Sequence, residues 1–116
     1  MKQHFIAGEW TPGSGGETLP VIDPSTGEVF DQLQRGNAQD IDRAVAAARG
    51  ALEGDWGRMT AVDRGRILSR MSQIMLSRSE ALALLEARDT GKPMAQARND
   101  ILVAARYCEF YGGAAD

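Results

Sequence analysis

The segment of residues 77–100 constrains the fold of this chain most, because it predicts two helices that meet at a sharp corner. Ser77 and Glu80 have the spacing of a capping box, which predicts a helix that begins there with its first amide donors satisfied. Gly91 suits the left-handed residue that closes a helix, and Pro93 cannot continue that helix but can open another. The expected apolar face of the first helix consists of Ala81, Leu84 and Leu85, with Arg88 at its end.

The composition is that of an ordinary soluble globular chain of one domain, since 43% of its 116 residues are hydrophobic and 25% are charged. A net charge of −3 argues against a nucleic-acid surface, because phosphate binding needs clustered Lys and Arg. The single cysteine, Cys108, excludes an internal disulfide. The first residues lead into no apolar segment, and no run approaches the length that spans a membrane. We therefore expect a cytoplasmic protein without nucleic-acid or membrane partners.

Residues 1–35 predict a strand and hairpin segment. The expected strands are residues 5–7 with a turn and return at 8–10, residues 18–22, and residues 28–34. Residues 23–27 predict a turn in which Asp23 accepts an amide and Gly27 has a positive φ. The glycine-rich residues 12–16 lack the Lys-Ser/Thr pair of a P-loop and the strand-turn-helix spacing of a dinucleotide fingerprint, so a plain hairpin loop is predicted.

From residue 36 onward the hydrophobic period becomes helical. Asn37 with Asp40, and Thr60 with Asp63, have the spacing of caps at the starts of two helices. The expected core-facing stripes are Ile41, Ala44, Val45, Ala48 and Leu52; then Ile67, Leu68, Met71, Ile74 and Met75; then Met94, Ala97, Ile101, Ala104, Ala105 and Cys108. The sequence does not decide whether the last helix breaks at residues 99–100. The predicted fold class is α+β, with short amino-terminal strands followed by three to four amphipathic helices.

Four motifs, in order, resemble the amino-terminal part of the aldehyde dehydrogenase family. The run LEARDTGKP at residues 85–93 is similar to the family's Leu-Glu-x-x-Asp-Thr-Gly-Lys-Pro segment. The run DPSTGEV at 23–29 resembles its Asn/Asp-Pro-x-Thr-Gly-Glu turn. WGRMT at 56–60 with RGRIL at 64–68 resembles its second-helix region, and FYGGAAD at 110–116 resembles its Tyr-Tyr-Ala-Gly-x-Ala-Asp. Among members of the family, those resembling betaine aldehyde dehydrogenases are closest in motif.

This resemblance implies that residues 1–116 are the amino-terminal portion of a cofactor-binding domain within an α/β fold. It implies a parent enzyme that oxidises a small-molecule aldehyde to a carboxylic acid with NAD or NADP. This parent is expected to form a homo-oligomer, and the rest of its chain is expected to pack on this segment. The family's nucleophilic cysteine and cofactor-binding segments lie downstream, so no catalytic and no cofactor-binding residue is expected here. Cys108 lies on an apolar stripe, which predicts a buried, inert thiol.

The resemblance also implies two sites. A monovalent cation, potassium or sodium, is expected between backbone oxygens of Val21 or Ile22 and the carboxylate of Asp89, because hard cations favour such oxygens. The alternative is that Asp89 simply pairs with a nearby group such as Lys92. The wall of the passage by which the aldehyde reaches the nucleophile is expected near Asp100, Val103 and Tyr107.

A second hypothesis comes from a different functional class. The chain is then a stand-alone, non-catalytic helical interaction module, whose apolar stripes dock on a partner. The continuation of the reading frame separates the two hypotheses, since an enzyme needs a Rossmann-like βα pattern and a cysteine segment after residue 116. A natural stop at that point favours the module.

Overall fold

A computed structural model describes residues 1–115, so the last residue of the predicted helical segment, Asp116, lies outside the described part. The chain divides into two compact units, the first Met1–Arg58 and the second beginning at Met59. Among the described residues, no helix is long and apolar enough to cross a membrane. The α+β class with short strands before the helices is confirmed.

The first unit contains four short strands in two antiparallel pairs. Strand β1 (His4–Ile6) pairs with β2 (Glu9–Thr11), and β3 (Thr18–Ile22) pairs with β4 (Val29–Gln34). The predicted strands are therefore confirmed, and the expected return after the first strand is itself the strand β2. Lys2 adds a parallel bridge beside β4, since its amide donates to the Gln32 carbonyl at 2.7 Å.

The turn between β3 and β4 forms as predicted. The Asp23 carboxylate accepts the Ser25 amide at 2.9 Å, and Gly27 has a φ of 75°. The pairing of the two strands shifts register between Val21 and Ile22, which marks a local irregularity next to the turn.

Helix α1 (Ala38–Glu53) and the single turn α2 (Asp55–Arg58) complete the first unit. Asn37 caps α1, and both hydrogen bonds of its capping box with Asp40 are present, as the spacing predicted. The large side chains of the predicted stripe remain exposed within this chain, with Ile41 at 60% and Leu52 at 67% exposure.

The second unit consists of α3 (Ala61–Ser77), α4 (Ser79–Thr90) and α5 (Met94–Gly113). Thr60 caps α3 by accepting the Asp63 amide at 3.1 Å, as predicted. Gly91 closes α4 with a φ of 74°, which confirms the left-handed residue at the corner. Pro93 opens α5 from the capping position, with an extended backbone.

The predicted capping box at Ser77 is wrong. Ser77 is the last residue of α3, and its hydroxyl donates to the Ile74 carbonyl at 2.8 Å. The helical path is interrupted only at Arg78, and α4 begins without a side-chain cap. A serine hydroxyl can satisfy a carbonyl of its own helix as readily as a following amide, so its spacing to Glu80 alone did not decide its role.

Two predicted apolar faces also differ from the buried ones. Leu84 and Leu85 of α4 are exposed, whereas Ala83 is fully buried. In α3, Ile67, Met71 and Ile74 are exposed, and the buried positions are the small residues Gly65 and Ser72. The buried positions of these two helices are therefore small residues, whereas Leu68 and Met75 of the predicted α3 stripe are half-buried. The α5 stripe is confirmed by the burial of Ala97 and Ala105, and the helix is unbroken at residues 99–100.

Candidate functional site

A three-membered ion cluster joins the two helices at the corner. Lys92, which follows Gly91, places its Nζ 2.6 Å from Glu86 Oε1 on α4 and 2.8 Å from Asp100 Oδ2 on α5. The Lys92 side chain is only 23% exposed, less than either carboxylate. The hydrogen bond to Asp100 raises the pKa of Lys92 above its usual value, and the hydrogen bond to Glu86 is the second cause. The ammonium is therefore held charged between two acidic groups.

Local sequence explains why Lys92 reaches both helices. Gly91 provides the left-handed turn that reverses the chain direction, and the Thr90 hydroxyl donates to the Glu86 carbonyl at 2.6 Å. Pro93 then starts α5 immediately after the lysine. Lys92 therefore lies in the short connection between the two helices, and its long side chain reaches Glu86 on α4 and Asp100 on α5.

A second ion pair, between Glu80 and Arg98, also connects α4 and α5. Arg98 donates through Nε and Nη2 to the two carboxylate oxygens of Glu80, at 2.8 and 3.1 Å. The arginine is half-exposed and the glutamate is more exposed. This bidentate geometry lowers the pKa of Glu80, with the hydrogen bond from Arg98 as the main cause.

The predicted passage residues share one face of α5. Asp100, Val103 and Tyr107 are three and four positions apart, so they follow one another along the helix surface. Val103 is 41% exposed and Tyr107 is 60% exposed, and the Tyr107 ring lies 6.5 Å from the ring of Tyr111. The Asp100 carboxylate is paired, because it accepts a hydrogen bond from the Lys92 ammonium.

Sequence reasoning overlooked the role of Lys92. The available signal was a lysine beside the predicted corner with an acidic residue on each adjoining helix, at Glu86 and Asp100. Lys92, the example named as a partner for Asp89, pairs instead with these two other carboxylates, so that part of the alternative is wrong. A pairing of Asp89 with another group stays a prediction. Asp89 itself is exposed near the end of α4.

The residues of the predicted cation site belong to different units. Val21 and Ile22 lie at the end of β3 in the first unit, where the pairing with β4 shifts register. Asp89 lies in α4 of the second unit. The cation site therefore stays a prediction.

The glycine-rich loop does not fit the phosphates of a dinucleotide. The carboxylate of Asp40 accepts the Ser14 amide at 3.1 Å and the Asn37 amide at 3.1 Å, and Arg43 binds it at 2.6 Å. These contacts, led by the Asn37 amide, lower the pKa of Asp40 to about 2. An internal carboxylate thus already occupies the place where loop amides and a helix start would receive an anion. The predicted hairpin loop is wrong, because the strands that this loop joins, β2 and β3, belong to separate two-stranded sheets. The loop is a connection between the two pairs, and Asp40 holds it through the Ser14 amide.

Cys108 is half-buried on the stripe of α5 that also carries Ala97 and Ala105. The helices α3 and α5 pack through this region, with Gly112 of α5 against Gly65 of α3. A thiol in this setting contributes to packing.

Comparisons with known proteins agree on one family. Residues 10–116 match the family model described as the aldehyde dehydrogenase family. A candidate aldehyde dehydrogenase from Burkholderia cenocepacia is 56% identical with a TM-score of 0.96, covering 97% of this chain and 24% of that one. A variant betaine aldehyde dehydrogenase from Staphylococcus aureus in complex with NAD+ is 32% identical, with a TM-score of 0.94, covering 97% of this chain and 23% of that one. An NAD-dependent aldehyde dehydrogenase from Sinorhizobium meliloti is 35% identical, with a TM-score of 0.93 and the same coverage. The chain thus spans about a quarter of these structures.

Proposed function

The chain belongs to the aldehyde dehydrogenase family, and from that premise we propose that it is the amino-terminal segment of an enzyme that oxidises an aldehyde to a carboxylic acid with NAD or NADP. The observation that carries this proposal is the match of 97% of the chain, at 56% identity, to a quarter of a structure of that kind. Residues 1–116 then form the amino-terminal portion of the cofactor-binding domain. The parent is proposed to be a cytoplasmic homo-oligomer.

Within that enzyme the segment supplies structure around the chemistry. The reaction needs a cysteine nucleophile, amide donors for the oxyanion and a nicotinamide acceptor, all provided by later parts of the chain. The exposed face of α5 at Asp100, Val103 and Tyr107 is proposed to form part of the wall of the aldehyde passage. The carbonyls of Val21 or Ile22 and the Asp89 carboxylate are proposed to hold potassium or sodium.

The outer surface of the second unit supports a role as part of a larger fold. Its exposed large apolar side chains include Ile67, Met71, Ile74, Leu84, Leu85, Leu102, Val103, Tyr107, Phe110 and Tyr111. Exposed apolar area of this extent is typical of a surface that another element covers. The remainder of the parent chain is the proposed cover, and the isolated segment is proposed to be inactive.

The test compares the full-length protein with the segment. Both are purified and incubated with NAD or NADP and a panel of aldehydes, and reduced nicotinamide is followed by its absorbance. We expect turnover by the full-length protein and none by the segment. A Cys108→Ser variant of the full-length protein should retain turnover, because the proposed nucleophile is a different cysteine in a later part of the chain. A full-length protein inactive on all aldehydes contradicts the proposal.

The same exposed faces favour a second candidate, a non-catalytic module that docks on another protein. The reading frame distinguishes the two. A continuation with a Rossmann-like βα pattern and a cysteine segment supports the enzyme, and a stop codon directly after residue 116 supports the module.

A further inference from the structure

The ion cluster at the corner contains more negative than positive charges. Glu86 and Asp100 carry two negative charges, and Lys92 between them carries one positive charge. Both contacts are at hydrogen-bond distance, at 2.6 and 2.8 Å, and Lys92 is the least exposed of the three groups. An ammonium has three donors and no acceptor, so it can satisfy both carboxylates at once. Its removal leaves two carboxylates near each other without a counter-charge.

We propose that Lys92 is a positioning residue for the aldehyde passage, which neutralises the carboxylate of Asp100 and fixes the first turns of α5 against α4. This inference rests on the proposed function, since it takes Asp100 to stand at the passage wall. The cluster then presents one net negative charge at this position instead of two. Lys92 thereby sets how strongly the passage discriminates between aldehydes of different charge.

The position of the ion pair on α5 supports this role. Asp100 precedes Val103 and Tyr107 on one helix face, so its charge lies at one end of that row. A carboxylate acts over several ångströms where water is partly excluded, and it repels anions there. With Lys92 in place the cluster of Glu86, Lys92 and Asp100 carries a net charge of −1, and without the lysine it carries −2, so a passing anion is repelled less when Lys92 is present.

The second ion pair between the same helices provides a matched control. Arg98 binds Glu80 with comparable distances, and its removal also deletes one positive charge and one connection between α4 and α5. Glu80 lies in the first turn of α4, and Arg98 lies in α5, so this pair joins the same two helices without using Lys92. An effect of overall charge or of helix packing alone should therefore appear in both variants.

The experiment measures kcat/KM of the full-length enzyme for butanal and for succinic semialdehyde, two four-carbon aldehydes that differ by a terminal carboxylate. In Lys92→Gln we expect the ratio of succinic semialdehyde to butanal to fall by about two- to fivefold at low salt, and the fall to shrink as salt screens the charge. Lys92→Arg should keep the original ratio, and so should Arg98→Gln.

A second variant separates charge from folding. Adding Asp100→Asn to Lys92→Gln removes one of the two uncompensated carboxylates and returns the net charge of the cluster to −1, so the ratio should return toward that of the unmodified enzyme. An equal loss for both aldehydes in Lys92→Gln, or an equal change of ratio in Arg98→Gln, overturns the inference while leaving the proposed function intact. An unmodified enzyme that oxidises neither these nor other aldehydes overturns the proposed function, and the inference with it.

Discussion

Gly112 of α5 lies directly against Gly65 of α3, so closely that a Cβ atom at Gly112 would lie 2.9 Å from the Gly65 carbonyl oxygen. A Cβ at Gly65 would in turn collide with the backbone of Gly112. The Ser69 hydroxyl is also within 2.8 Å of a Cβ at Gly112, but the Gly65 and Gly112 carbonyl oxygens are backbone atoms, which cannot rotate away as a side chain can. These two glycines therefore allow a closer approach of α3 and α5 than any larger residues would permit.

The first prediction concerns this contact. Gly65→Ala should destabilise the full-length protein by about 1–3 kcal/mol, because the helices must separate to accept the methyl group. The gain in helix propensity from glycine to alanine, about 0.5–1 kcal/mol, opposes only part of that loss. Thermal unfolding measures the difference. Gly50→Ala is the control, since that helical glycine has open space around its Cβ position and should gain stability. Equal midpoints for the two variants would contradict the packing argument.

The second prediction concerns the corner at Gly91. Its φ of 74° lies in the left-handed region, where a β-branched side chain clashes with the backbone. Gly91→Val should destabilise the protein by roughly 1–2 kcal/mol or more, and Gly91→Ala should cost less. Chemical unfolding of the full-length variants measures the order. If valine is tolerated as well as alanine, backbone conformation at this residue does not limit stability.

The third prediction concerns pH and Asp40. Its pKa in the folded chain is about 2, below the ordinary 3.8, because amides of Asn37 and Ser14 and the Arg43 side chain favour the charged form. A lowered folded-state pKa contributes stability that is complete above the unfolded-state value. That contribution should disappear as the pH falls from about 4 to about 2.

Asp40→Asn should therefore be less stable at neutral pH and should show a weaker acid dependence in this range than the unmodified protein. Unfolding by denaturant at a series of pH values measures both slopes. Asp42→Asn, which changes an exposed carboxylate on the same helix, should preserve the original slope. An unchanged acid dependence in Asp40→Asn would show that the contacts of this carboxylate do not govern acid stability.

The fourth prediction tests the proposed cation site. If Asp89 ligates a monovalent cation, the thermal midpoint of the full-length protein should rise with potassium concentration, because a ligand bound only to the folded state stabilises it. The rise should vanish in Asp89→Asn. A series at constant ionic strength, with a large organic cation replacing potassium, separates binding from screening. The same potassium response in both proteins would reject Asp89 as a ligand.

The fifth prediction concerns the isolated segment. Exposed apolar side chains such as Ile74, Leu84 and Phe110 are 46–62% exposed, so each forgoes about half of the roughly 1.5–3 kcal/mol that full burial provides. Several such losses together equal the whole stability of a small domain. The purified 116-residue chain should therefore melt without a sharp transition or self-associate, and it should bind no nicotinamide. Size-exclusion chromatography and circular dichroism measure these properties. A monomer with a cooperative melt would refute the stability argument.

Much of the local structure could be predicted from the sequence by itself. The caps at Asn37 and Thr60, the turn at Asp23 and the left-handed residue Gly91 all formed as predicted. Each depends on hydrogen bonds or backbone conformation within a few residues, so the neighbouring sequence contains the necessary information. The family resemblance also came from contiguous motifs, and the match over residues 10–116 confirms it.

The tertiary structure alone decided which faces are buried. Apolar residues occur around much of α4, and periodicity therefore did not distinguish the predicted face at Leu84 from the buried one at Ala83. Close helix packing favours the smaller side chain, which can be known only once α5 is in place. The sharing of Lys92 between Glu86 and Asp100 likewise depends on the distance between two helices. Sequence spacing across a turn does not fix that distance, because it depends on how the side chains of both helices pack.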